Sequence, residues 1–191
     1  MSRRRSIIRS ELLLAATLLF ATRGDAQEPL VEAEVKAAFV YNFLKFVEWP
    51  VDSGRGPQDA FVVAIIGGGA TAEATERYLA TKQVGERPLL VRRVKWDHSL
   101  AGLDAVFVAE RDAKKRQRVF DSAAAATVLT IGEGEEFAST GGVIALLVEN
   151  RKVRFDIDTG AAQSANLRVS SKLLALTRVV RSTPNRTGAR R

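Results

Sequence analysis

The sequence predicts an α/β fold: three layers, with a mostly parallel sheet that ends in a C-terminal antiparallel hairpin and is flanked by helices. Three observations lead there. Residues 61–66 and 105–108 are short unbroken apolar runs, as expected of strands covered on both faces, and the β-branched stretch 127–131 reads as a further strand. With residues 89–94 they fall in the order strand, helix, strand, strand, helix, strand, which is the pattern of a layered α/β domain. Finally, the apolar run 143–148 leads through Asn150-Arg151 into 153–158, where apolar and charged residues alternate. That alternation predicts a hairpin with one packed face and one wet face, at or near a sheet edge.

The first element is a helix over about 28–48. Val31, Val35, Ala38, Phe39, Phe43, Phe46 and Val47 recur at steps of three and four and predict one wide apolar stripe. Pro29 suits the first turn, where its missing N–H has no partner to lose, and Pro50 forbids continuation. A loop containing Ser53-Gly54-Arg55-Gly56-Pro57 follows, then the first buried strand and Gly67-Gly68-Gly69. A short helix is expected over 71–80 and a basic, alanine-rich one over 111–125. After the hairpin, Asp158 or Thr159 caps a short helix closed by Asn166, and Ser170 or Ser171 caps a last one. In that last helix Leu173, Leu174, Thr177 and Val180 would share a face.

Residues 1–26 read as a secretory signal: Arg3, Arg4, Arg5 and Arg9, then an apolar stretch too short to span a bilayer, then Gly24-Asp25-Ala26 for cleavage. Arg4-Arg5 also loosely imitates a twin-arginine signal. The expected organisation is signal peptide 1–26, one domain over 27–180 and a basic disordered tail over 181–191. The formal charge of +7 is concentrated at the two ends, because residues 27–180 hold twenty basic and twenty acidic residues. A neutral body has no field to draw in nucleic acid.

The inventory leaves little room for an enzyme. There is no cysteine and His98 is the single histidine, so nucleophile–histidine pairs and multi-histidine metal sites are excluded. No catalytic residue, cofactor or metal is expected. Glu133, Glu135 and Glu136 sit in a Gly-rich turn without the ligand spacing of calcium loops and read as solvated. Gly67-Gly68-Gly69-Ala70-Thr71-Ala72 satisfies G-x-G-x-x-A, yet turn geometry alone explains the glycines.

Candidate partner- or ligand-binding residues follow from charge and aromaticity. Arg87, Arg92 and Arg154 carry forks suited to carboxylates or an acidic surface. Tyr41 and Lys45 lie on the less apolar side of the first helix, with Trp49 at its end, either as solvent face or as a docking strip. Asp158 places a negative charge at a helix start. A second possibility is a small-ligand receptor that uses the strand ends at Gly67–Gly69, Glu110 and Gly132, where open α/β sheets bind ligands.

The run VKAAFVYNFLKFVEWP, followed by GGVIALLVENRKVRFDID and SSKLLALTRVV, resembles the YfiR-like family of bacterial periplasmic proteins, in the family's order and at about its spacings. The resemblance implies a periplasmic, often dimeric regulator. It would restrain an inner-membrane diguanylate cyclase by holding its periplasmic sensor domain, lowering cyclic-di-GMP and biofilm formation; similar domains also occur with histidine kinases. Relatives often carry cysteines, one near the strand that here reads Leu103-Asp104-Ala105-Val106-Phe107, and commonly an asparagine where this chain has Asp158. Disulfide or redox control therefore has no residues to act through here.

Overall fold

The computed structural model describes residues 27–50 and 59–182. The expected export segment, most of the loop after Pro50 and the tail beyond Ser182 lie outside those residues. Helix α1 spans Gln27–Phe46 and continues into a two-residue strand, β1, Val47–Glu48. Then come β2 Phe61–Ile66, α2 Ala70–Leu79, β3 Gln83–Val84, β4 Arg87–Val94, β5 Ala105–Val108, α3 Ala113–Ala126 and β6 Leu129–Glu133. The remainder is α4 Glu135–Ser139, β7 Ile144–Glu149, β8 Lys152–Asp158, α5 Thr159–Ser164, β9 Arg168–Val169, α6 Ser171–Leu174 and β10 Val179–Arg181.

Eight strands form one sheet in the order β10-β8-β7-β6-β5-β2-β4-β3, while β1 and β9 pair separately. β4, β2, β5, β6 and β7 run parallel, and β8 returns antiparallel to β7. The β7–β8 turn is tight because Asn150 and Arg151 both adopt left-handed backbone, at φ 50 and 60, the geometry that matches strand twist in a two-residue hairpin. Every residue of β2 and β5 is buried, as their uninterrupted apolar character predicts. On one side of the sheet α1 packs Val40, Phe43 and Leu44 against Val63, Ile65, Phe107 and Phe155. On the other, α3 and α4 contribute Val119, Phe120, Phe137 and Ala138 over Val62, Ala64 and Val106.

Three expectations change. The buried stripe of α1 is rotated from the one the large side chains suggest: Val31 is 61% exposed, whereas Ala33 and Ala37 are buried against Ala74. Small side chains are what let α1 and α2 approach closely. The face of β8 expected to be wet is wet only at its start: Lys152 and Arg154 are exposed, but Asp156 and Asp158 are both fully buried. The last helix stops at Leu174, and Val179–Arg181 instead forms an edge strand parallel to β8. The expected caps are present: Asp158 Oδ1 accepts from Ala161 N–H at 3.0 Å, and Ser170 Oγ accepts from Leu173 N–H at 3.3 Å.

Candidate functional site

Four of the residues singled out by charge and aromaticity gather at one corner of the sheet. Tyr41, on α1, donates its hydroxyl to the Gln83 carbonyl at 2.9 Å, and Lys45 lies over its ring at 5.1 Å. Trp49 donates its indole N–H to the Asp104 carbonyl at 3.1 Å and meets Phe61 edge-on at 5.0 Å. Arg87 stacks over the same Phe61 ring at 4.9 Å and donates to the Asp59 and Ala60 carbonyls. It also reaches the buried Asp104 carboxylate at 3.3 Å, whose other oxygen accepts from Val62 N–H at 2.6 Å. Trp49 and Arg87 are thus engaged in fixing the loop ends to β2, and Lys45 keeps the exposed charge. Arg92 stands apart on the opposite face of β4, and Arg154 is exposed far across the sheet on β8. His98 is exposed in the turn after β4, as expected.

At the C-terminal ends of the parallel strands, where a ligand was one expectation, the protein's own side chains fill the space. Lys36, barely exposed, bridges Glu32 and Glu133 at 2.6 Å each, and Thr71 in the first turn of α2 donates to Glu133 Oε1 at 3.0 Å. A carboxylate, Glu133, therefore sits where a bound phosphate would approach the Gly67–Gly69 turn; it is exposed, as the Gly-rich sequence suggests, but it is also paired with Lys36 and Thr71. Gly132 gives no room either, because the Phe137 ring lies where its side chain would project.

Lys36 carries a pH prediction. Burial opposes its charge, but the hydrogen bonds to Glu133 and Glu32 outweigh burial and its pKa rises above the ordinary 10.5. Its stabilisation is therefore complete below that ordinary value and is lost as pH climbs through the raised one. Lys36→Met should lower unfolding stability at neutral pH by about 1–2 kcal/mol, because Glu133 is partly exposed and recovers some water. In urea titrations from neutral pH upward, the gap between wild type and variant should persist and close only in the alkaline range, above the ordinary lysine value. A gap that has already closed at or below that ordinary value on the alkaline side would show that Lys36 does not carry this bridge.

A cleft lies at the opposite end of the strands, between α3, α5 and the start of β7. It has a volume of about 430 Å³, with Phe120, Val128 and Ala165 among its apolar walls. Thr130 and Asp158 form a buried polar floor: Thr130 Oγ1 accepts from Val143 N–H at 2.9 Å, while Asp158 caps α5. Asp121 and Ser164 also line it, and no lysine or arginine does.

One charged cluster escaped the sequence reading. Arg178 grips the buried Asp156 through two bonds, Nε to Oδ1 at 2.9 Å and Nη2 to Oδ2 at 2.7 Å. It also reaches Glu135 at 3.0 Å and Glu149 at 3.4 Å. The Asp156 hydrogen bonds raise the arginine's pKa, so it stays charged. The only available signal was the β-branched run Thr177, Val179, Val180 around it. Among the described residues there is no cluster of three or more potential metal ligands, and no helix is long and apolar enough to cross a membrane.

Comparison with known proteins fits this architecture. No curated protein matches the chain. A conserved domain protein from Vibrio cholerae O1 biovar eltor superposes with a TM-score of 0.53 at 13% identity, over 78% of this chain and 60% of that one. The ABC domain in complex with L-Trp from Streptococcus pneumoniae gives 0.48 at 9% identity, over 63% of this chain and 55% of that one. The first likeness concerns the fold alone, and this chain spans little more than half the length of either. The model of the YfiR/HmsC-like family matches residues 33–178, from the first turns of α1 to Arg178 at the threshold of β10, and the chain belongs to that family.

Proposed function

We propose that the protein is a periplasmic regulatory binding protein that represses an inner-membrane diguanylate cyclase by holding the cyclase's periplasmic sensor domain. The observation that carries this reading is the family match over residues 33–178, because the YfiR/HmsC-like family implies a periplasmic regulator of cyclic-di-GMP signalling. In this reading residues 1–26 are removed on export, 27–180 act as one domain, and the domain works as a homodimer. The exposed Lys45 with Tyr41 forms one contact, and the exposed Arg92 and Arg154, which stand apart from them, belong to separate contacts. Trp49, Arg87 and Asp158 hold the backbone that presents them.

The physics required is a population shift. A repressor changes its target only as far as it binds the inactive form more tightly than the active one. A hundredfold preference supplies about 2.7 kcal/mol, enough to silence a cyclase poised near balance. A signal that weakens this differential releases the enzyme. Deleting the gene should therefore raise cellular cyclic-di-GMP several-fold, and re-expressing the chain should restore it; unchanged nucleotide levels across growth conditions would sink the reading.

The cleft supports a second reading, a periplasmic small-ligand sensor partnering a histidine kinase or transporter. A 430 Å³ space with apolar walls and a polar floor is of a size to take a small molecule. In that case deletion leaves cyclic-di-GMP untouched and alters the output of the partner kinase or the uptake of the ligand.

A further inference from the structure

Although the body is neutral overall, its basic residues are not evenly spread. The turn after β4 and the segment that opens α3, residues 95–98 and 110–118, hold six basic side chains against three acidic ones. The acids are mostly occupied: Asp112 caps α3 by accepting from Lys115 N–H at 3.0 Å, and Glu110 accepts from Asp112 N–H at 3.0 Å and faces Lys115 at 3.6 Å. Elsewhere arginines and lysines such as Lys36, Arg77, Arg87, Arg93 and Arg178 are paired with carboxylates. Lys95, Arg111, Lys114 and Arg118 are exposed and have no carboxylate partner among the described residues.

At the centre stands Trp96, partly buried, in a turn closed by His98 N–H on the Lys95 carbonyl at 3.1 Å. Its ring packs at its base on Val62, Val119 and their neighbours, while Lys115 and Arg118 lie over it at 5.8 and 5.3 Å. On the same side of the sheet, in register with Val62, Leu90 is 46% exposed.

We propose that this face, Trp96 with Lys95, Lys114, Lys115 and Arg118, docks on an anionic phospholipid surface. Long flexible cations meet a diffuse array of lipid phosphates without needing a fixed geometry. An amphipathic indole among them is the side chain that settles at headgroup depth. An acidic peptide supplies carboxylates for the cations but no apolar layer for Leu90, 46% exposed beside them, or for the open edge of the partly buried Trp96. The inference does not depend on the cyclase reading, because docking requires only charge and an interface.

The test uses the full chain, as wild type and as Lys114→Gln/Arg118→Gln, so that both carry the same termini and differ only in this face. Both replaced side chains are exposed, and unchanged circular dichroism and melting would confirm that the variant is folded. The wild type should sediment with phosphatidylcholine vesicles containing phosphatidylglycerol, not with phosphatidylcholine alone, and should come off with salt. The double variant should lose affinity on the order of 30-fold. In a Trp49→Phe background, Trp96 emission should shift to the blue on the anionic vesicles. Equal binding to both vesicle types, equal affinity of the variant, or an unshifted Trp96 would overturn the proposal. So would capture by polyglutamate in the absence of vesicle binding, which would assign the face to an acidic protein instead.

Discussion

Truncating Phe137 to alanine lowers the stability of the protein by about 3–5 kcal/mol, among the largest effects open to a single side chain here. The ring belongs to the single-turn helix α4, is 2% exposed and meets Phe120 edge-on at 5.0 Å and 87°. It fits because two glycines, Gly132 on β6 and Gly142 before β7, leave their Cβ positions to it: a methyl group at either would lie within the ring. Its backbone closes the same turn, donating to the Gly134 carbonyl at 3.1 Å and accepting from Gly142 N–H at 3.0 Å. Gly132→Ala alone should cost about 1–3 kcal/mol by forcing the ring aside. The informative variant is the pair Gly132→Ala/Phe137→Ala. With the ring gone, the new methyl enters vacated space, so the pair should cost clearly less than the sum of the singles in urea unfolding. Strict additivity would show that the glycine does not exist to admit the ring.

That ring also marks where the sequence ceases to be readable. Residues 61–66 and 105–108 announce themselves because in these strands both faces are covered and every residue is apolar, so the pattern is local and complete. The start of α1 is equally plain, since Pro29 acts through covalent geometry, but its end is not: the helix stops at Phe46, short of Pro50, because Val47–Glu48 pair with Arg168–Val169 far along the chain. Which face of α1 turns inward is not plain either, because Ala33 and Ala37 are chosen for small size against Ala74, and size complementarity depends on a partner far along the chain. Phe137 stands as a lone aromatic in a Gly- and Glu-rich stretch, and only the sheet shows that the glycines make its socket. The candidate site divides the same way. Arg87 and Trp49 attract attention as charged and aromatic, but their tie to Asp104 and Phe61 is tertiary. Glu133 is exposed, as it looks, but its pairing with Lys36 from another element is not legible.

Replacing Arg178 by methionine should lower the melting temperature by on the order of 10 °C. The cost does not arise from the arginine, which is partly exposed, but from what it leaves behind. Asp156 is fully buried on β8, and with Arg178 gone its nearest cation is Arg181 at 3.7 Å. A buried carboxylate without its fork is what the fold tolerates least. The same residue anchors the C-terminal segment: Arg178 N–H donates to the Phe155 carbonyl at 2.9 Å, Thr177 Oγ1 to the same oxygen at 2.9 Å, and Thr159 Oγ1 to the Arg181 carbonyl at 2.9 Å. Loss of the grip should therefore accelerate hydrogen exchange first at Val179–Arg181, with β2 and β5 protected until global unfolding. Asp156→Asn/Arg178→Met removes both charges together and should recover most of the lost stability, as burying a neutral amide costs less than burying an unpaired charge. If the double variant melts as low as the single, the packing of the arginine stem rather than its charge holds β10 in place. Where the spacing of Leu173, Leu174, Thr177 and Val180 suggests a helix, the chain instead forms a strand, in the register that brings Arg178 onto Asp156.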